Sequence, residues 1–177
     1  VAPTVTGRDR SCLSSVEYGH GDSMHVTLLR VYPVKSMAGI DVDVADVQPW
    51  GLAGDRRWGI VDECGTKVTA REVRALLGLR AELHGEHRLR ILDRDGQTLI
   101  VDEPSGAAPI PVSHSRQEAA LPADDRANQW LSARLGLPVR LVWQNDPTAR
   151  SIASDHGGEV GESMSLADAG PLLLVSD

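Results

Sequence analysis

The sequence contains no phenylalanine, and its few tryptophans and tyrosines bring aromatics to only 3%. Aliphatic side chains must therefore fill any core. Cysteine is nearly as scarce. Cys12 and Cys64 alone make no disulfide framework, so a reducing, cytoplasmic location is the default expectation. Long apolar runs are missing as well. The longest, Pro171-Leu172-Leu173-Leu174-Val175, falls far short of the ~20 residues of a membrane span and reads as a buried strand. No N-terminal stretch has the charged-then-apolar order of a signal peptide. Positive charge is also in deficit: 18 Lys and Arg face 25 Asp and Glu, a formal charge of −7. That balance argues against a nucleic-acid partner, which needs a basic surface. Lysine is rarest of all, present only as Lys35 and Lys67, a skew most simply explained by codon bias.

What is present is a globular composition. The chain has 177 residues, 41% apolar and 24% charged. That length buries a core without disulfide staples. Residues 1–23 are polar and aperiodic, and read as a disordered leader ahead of Met24. Residues 26–32 then read as a strand, ended by Pro33. Apolar Ile40, Val42, Val44 and Val47 mark a second strand. Residues 50–56 form a tight turn, residues 57–62 and 67–69 a hairpin, and residues 72–79 a short helix ending near Gly78. A further hairpin joins 88–92 to 98–101 through Asp95-Gly96. Residues 103–121, with several prolines, read as loop with at most one short strand. Asp124-Asp125 caps a helix that runs to about Leu135, with Trp130, Leu131 and Leu135 on its buried face. Gly136 and Pro138 close it. A strand at 139–143, a long polar loop at 144–170 and a final apolar strand complete the pattern. A chain that stops inside its most apolar strand leaves an edge unpaired, so the sequence reads as cut. The expected class is mixed α+β and β-dominated, a small barrel-like domain over residues 24–143 followed by residues 144–177 as linker and start of a second barrel.

Several chemical motifs fail their context tests. His84-Gly85-Glu86-His87 sits in a turn without further ligands nearby in sequence, and two histidines rarely make a metal site alone. Gly157-Gly158-Glu159-Val160-Gly161 has no lysine and follows no strand, so it is not a phosphate loop. Serine-hydrolase motifs are absent. Cys64 lies at a hairpin tip with no cationic setting to activate it. The scattered carboxylates suggest no paired acid and base, so no catalytic residue is assigned. A set of cations at loop ends is more suggestive. Lys35 and Ser36 follow a strand and the rigid Pro33, Arg56 follows Gly54-Asp55, and Arg71 follows Thr69-Ala70. Ammonium, guanidinium and hydroxyl donors suit a phosphate or other anionic ligand. On the residues alone, solvated surface charge is the better explanation of them.

The order of these pieces resembles a known family. Tyr32-Pro33-Val34-Lys35-Ser36-Met37-Ala38-Gly39, then Gly51-Leu52-Ala53-Gly54-Asp55-Arg56-Arg57-Trp58, then Val61-Asp62 and Thr69-Ala70-Arg71-Glu72 are similar to the MOSC N-terminal β-barrel family. Trp130 to Val142 and Leu166 to Ser176 fit too. The resemblance spans Met24 to Asp177 and implies a barrel joined to a following MOSC domain, the pair binding molybdenum cofactor (a phosphorylated molybdopterin dithiolene) between them. Members include the mitochondrial amidoxime reducing component, bacterial reductases and the C-terminal part of molybdenum cofactor sulfurases. The resemblance implies an oxidoreductase acting on N-hydroxylated small molecules, with electrons from a partner protein or a fused ferredoxin domain. A neighbouring pyridoxal-phosphate-dependent desulfurase would instead favour a sulfur-carrier role, and a non-catalytic binding module is a further alternative. In the family, residues matching Lys35, Ser36 and Arg56 contact the cofactor, and the segment matching Ala169-Gly170 lies near it; Arg71 joins them on its loop position. Departures are Leu166 where Phe is usual and Val73 where Pro is usual. The family's molybdenum-ligating cysteine lies beyond the point matching Asp177, and neither Cys12 nor Cys64 matches it. The implied site in this chain is therefore incomplete, without a metal ligand.

Overall fold

A computed structural model describes residues 4–6, 25–114 and 116–176. The chain runs through β1 (Thr4–Thr6), β2 (Arg30–Val31), β3 (Ile40–Asp41), β4 (Val44–Gln48), β5 (Gly51–Leu52) and β6 (Trp58–Val61). A 3-10 helix at Arg74–Gly78 precedes β7 (Arg80–Leu83), β8 (Arg88–Leu92), β9 (Thr98–Asp102), β10 (Ile110–His114) and β11 (Gln117–Pro122). Helix α1 (Asp125–Leu135) and β12 (Arg140–Trp143) follow, then short 3-10 turns at Pro147–Ala149 and Ser154–His156. The fold is α+β and strongly β-dominated, as its composition implies.

The central sheet has the order β10-β11-β12-β6, and its paired strands are antiparallel. β6 is buried at every position because it is covered on both faces. Ile60 and Leu141 face the main core, while Val61 and Val142 face a smaller cluster with Val112 and Ala120. The β7-β8-β9 meander closes the main core from the other side. Its alternation is strict: Leu89, Ile91, Leu99 and Val101 point inward, and Arg88, Arg90 and Asp102 do not. Helix α1 buries Ala127, Leu131 and Leu135, spaced by four, against this core. Asp124 accepts the Ala127 N–H at 2.7 Å as N-cap, and left-handed Gly136 ends the helix.

Five expectations need correction. Of the first predicted strand only Arg30–Val31 pairs, because its partner β3 is two residues long; Val26 and Leu28 stay exposed. Residues 72–79 make a 3-10 helix at Arg74–Gly78, not an α-helix. The proline-rich stretch read as loop contains the β10–β11 hairpin; β10 is the last named strand of the sheet, and its outer side is bonded to Gly65 and Lys67 through Ser113 and not at Pro111. Leu172 to Val175 form no strand and are exposed, where a buried strand was expected. Thr4–Thr6 pair with Val44–Asp46 in what reads as a disordered leader, whose other residues, including Cys12, lie outside those described. No helix among the described residues is long and apolar enough to cross a membrane.

Truncating Leu131 to Ala removes a fully buried side chain and should cost about 2–5 kcal/mol of unfolding free energy. Asp124→Ala should cost about 1 kcal/mol through the lost cap. Urea unfolding of both variants checks the order; a larger loss at Asp124 than at Leu131 would contradict this packing.

Candidate anion site

The two loops that carry Tyr32-Pro33-Val34-Lys35-Ser36 and Gly54-Asp55-Arg56 lie backbone to backbone. The Arg56 N–H donates to the Tyr32 carbonyl at 2.7 Å, the Trp58 N–H to Pro33 at 3.1 Å, and the Lys35 N–H to Trp58 at 2.9 Å. Val34 and Trp58 form a parallel bridge. Asp55 locks the junction. It is only 2% exposed, its Oδ1 accepts the Tyr32 N–H at 2.8 Å, and its Oδ2 pairs with the Arg56 guanidinium. That guanidinium lies 5.0 Å from the centre of the Tyr32 ring, a cation–π contact. Burial pushes the Asp55 carboxyl up from its ordinary value, although Arg56 and the Tyr32 N–H pull against it.

Ser36 and Arg56 both hold left-handed backbone, with φ of 71° and 48°. L-residues avoid that region, and such strain collects at ligand sites. One strained residue therefore sits in each motif loop, beside Lys35 in one and at the Asp55 pair in the other.

Lys35 is 7% exposed. Its Nζ donates to the Leu166 carbonyl at 2.7 Å and pairs with Asp168 Oδ1 at 2.5 Å. Burial lowers its pKa despite Asp168, and Arg150 and Arg56 add repulsion. Burial also pushes the Asp168 carboxyl up, but Lys35, Arg71 and Lys67 together hold it below the ordinary value. Arg71 is exposed and reaches the group through this field. Ala169 and Gly170 follow Asp168 directly, exposed and half-buried. The next residue, Pro171, packs its carbonyl where a Cβ on Gly51 would sit, 2.8 Å away. Gly51 has φ of +124°, so this contact needs glycine on both counts.

The structure thus brings Lys35 and Arg56 to one junction, with Ser36 next to Lys35 in the chain, Asp168 paired to Lys35 and Arg71 at its electrostatic edge; Ala169 and Gly170 are joined to it only through Asp168. Three residues that the motifs do not single out complete it. Arg150 is 1% exposed and donates to the carbonyls of Ser165 and, at 2.8 Å, Ala167. Burial lowers its pKa to about 10. Asp168 supplies the anion. His114 is equally buried, and neither ring nitrogen has a hydrogen-bond partner among the described residues. It packs so closely on Gly59 that a Cβ there would meet Nε2 at 2.6 Å. Burial pushes His114 down to about 4, and Lys35, Arg150 and Lys67 act in the same sense.

The donors are an ammonium, guanidinia and a hydroxyl, all of which seek oxygen acceptors. Phosphate oxygens are acceptors of the kind such donors take. These donors are not metal ligands, and no cluster of His, Cys, Asp or Glu among the described residues is placed to hold a metal ion. Cys64 is free and exposed at the turn after β6.

Fold and site together define a β-dominated domain that gathers cations where two loops meet a late segment of the chain. The chain belongs to the MOSC N-terminal beta barrel domain family, which matches residues 23–138. It is similar to molybdenum cofactor sulfurases: 25% identical to the Danio rerio protein over 88% of this chain and 20% of that one. Against the Homo sapiens protein the figures are 25%, 85% and 18%, and against the Drosophila melanogaster protein 28%, 84% and 19%. The chain spans about a fifth of the length of these curated relatives. A solution structure of a Bordetella bronchiseptica protein matches 54% of this chain and 85% of its own at 17% identity and a TM-score of 0.42.

His114 sets a pH dependence. Its folded pKa of about 4 lies below the ordinary 6.5, so the unfolded chain binds more protons between those values. Stability should fall as pH drops through that window, by about 2–3 kcal/mol from this residue at pH 4.5. His114→Gln should lose that share of the acid slope in urea unfolding at pH 7 and 4.5. Equal slopes in both proteins would show His114 solvated or paired.

Proposed function

We propose that this chain is the phosphate-binding wall of a molybdenum-cofactor protein. The convergence of Lys35, Ser36 and Arg56 at one strained junction supports this most directly, with Arg71 adding positive field at the edge. Ala169 and Gly170 follow Asp168, the carboxylate paired to Lys35. Membership of the MOSC N-terminal family and similarity to sulfurases point to the same cofactor. When bound, the cofactor supplies redox chemistry at its metal, while this chain's residues bind and orient its phosphate. In the complete protein we assign the wall to an oxidoreductase that reduces N-hydroxylated compounds with electrons from a partner protein or ferredoxin domain. The sulfurases among its relatives favour a second role, as the carrier domain on which a cofactor is sulfurated.

Titration of the full chain with molybdopterin, followed by ligand fluorescence, tests the binding role. Lys35→Ala and Arg56→Ala should each weaken binding by about 10-fold or more, as expected for charge-assisted hydrogen bonds. Arg71→Ala, removing an exposed charge, should cost no more than about 5-fold. Unchanged affinity in folded Lys35 and Arg56 variants would put the cofactor site elsewhere, and no binding by the wild type would leave the domain as a non-catalytic binding module. Reduction of an N-hydroxylated substrate, against sulfur transfer to the cofactor, separates the two enzymatic settings.

A further inference from the structure

We infer that Asp168 is a displaceable counter-ion that restricts the Lys35 site to dianionic ligands. The inference presupposes the phosphate-binding role proposed above. It rests on the two different oxygens that Lys35 holds. The Leu166 carbonyl belongs to a segment that cannot move away cheaply. Residues 163–167 are buried, Arg150 binds the carbonyls of Ser165 and Ala167, and the Leu166 N–H donates to Arg56 at 2.9 Å. Asp168 is the reverse case. Its side chain is 70% exposed while that of Lys35 is 8% exposed, so the carboxylate covers the ammonium from the solvent side. Ala169 and Leu172 to Val175, beyond it, are exposed too. Rotating the Asp168 side chain into water breaks one ion pair and gives up no buried packing.

A buried ammonium needs an anion beside it, because desolvated charge without a partner is costly. A monoanion that replaced Asp168 would exchange one negative charge for another and gain nothing. A phosphate monoester dianion brings a second charge and three acceptor oxygens. Arg56, Arg71 and Lys67 are placed to reward that extra charge. Asp168 therefore sets a charge threshold at the entrance. The sign of its removal separates this role from a structural one. A purely structural partner weakens the site when lost, whereas a competing counter-ion strengthens it.

Inorganic phosphate at pH 8 and acetate, at constant ionic strength, are the probes, with binding to the full chain read by NMR titration. Wild type should bind phosphate and ignore acetate. Asp168→Asn should bind phosphate about 5-fold more tightly, the ceiling for an exposed ion pair, and should also take up acetate. Lys35→Met should bind neither. If Asp168→Asn binds phosphate no better than wild type while Lys35→Met loses it, the counter-ion role is overturned and the phosphate site stands. If neither wild type nor Asp168→Asn binds phosphate, both fail. Should Asp168→Asn not fold, the wild-type Asp168 carboxyl carbon decides. Its apparent pKa should rise toward the ordinary value at saturating phosphate, and an unmoved titration curve overturns the inference.

Discussion

The buried carboxylate of Asp55 is the constraint on which the site depends. Taking it out of water is expensive, and the cost is offset only while the Tyr32 N–H and the Arg56 guanidinium are both in reach. Those partners sit in the two loops that the rest of the chain must hold together. Once they are joined, Lys35 is drawn against Trp58 by its own N–H, and Leu166 is drawn against Arg56 by another backbone bond. The position of the ammonium is thus a consequence of backbone pairing that Asp55 enforces. A loss at Asp55 would be felt at Lys35 without either side chain touching the other.

The protein carries a formal charge of −7 yet concentrates cations at this junction. Lys35 and Arg150 are both nearly inaccessible, and their donors are turned on main-chain carbonyls of residues 165–167. Carbonyl dipoles soften the cost of such burial but do not neutralise it. The residual positive potential is visible at His114, where every neighbouring charge that acts on the ring disfavours its protonation. A neutral imidazole inside a positive field is a hydrogen-bond donor and acceptor that adds no further repulsion.

Local features were legible in the sequence, and long-range ones were not. The β8–β9 hairpin follows from alternation around Asp95-Gly96, and helix α1 from Asp124, Gly136 and apolar spacing. Each is specified by residues close in the chain. The hairpin β10–β11 was hidden because Pro111 signals a loop unless no ladder bond is needed at its position, and which positions need one is a property of the whole sheet. The run Leu172 to Val175 has strand composition but no strand beside it to pair with among the described residues. Of the site, Lys35, Ser36 and Arg56 announce themselves through motif and loop position. Arg150, His114 and Asp168 do not, since Lys35 meets Leu166 and Asp168 across 131 and 133 residues. A polar loop and a proline-rich stretch gave no local sign that either would be buried.

Under the role proposed above, the chemistry of the donors would also divide the labour of binding a molybdopterin. Ammonium and guanidinium groups select oxygen anions, whereas molybdenum held by a dithiolene favours soft sulfur ligands. A wall built from Lys35, Arg56 and Ser36 would be matched to one end of such a molecule and indifferent to the other. Holding the phosphate end would leave the metal end free to be positioned by different residues. In that role the left-handed backbone of Ser36 and Arg56, held by the surrounding fold, would leave less ordering to be done on binding.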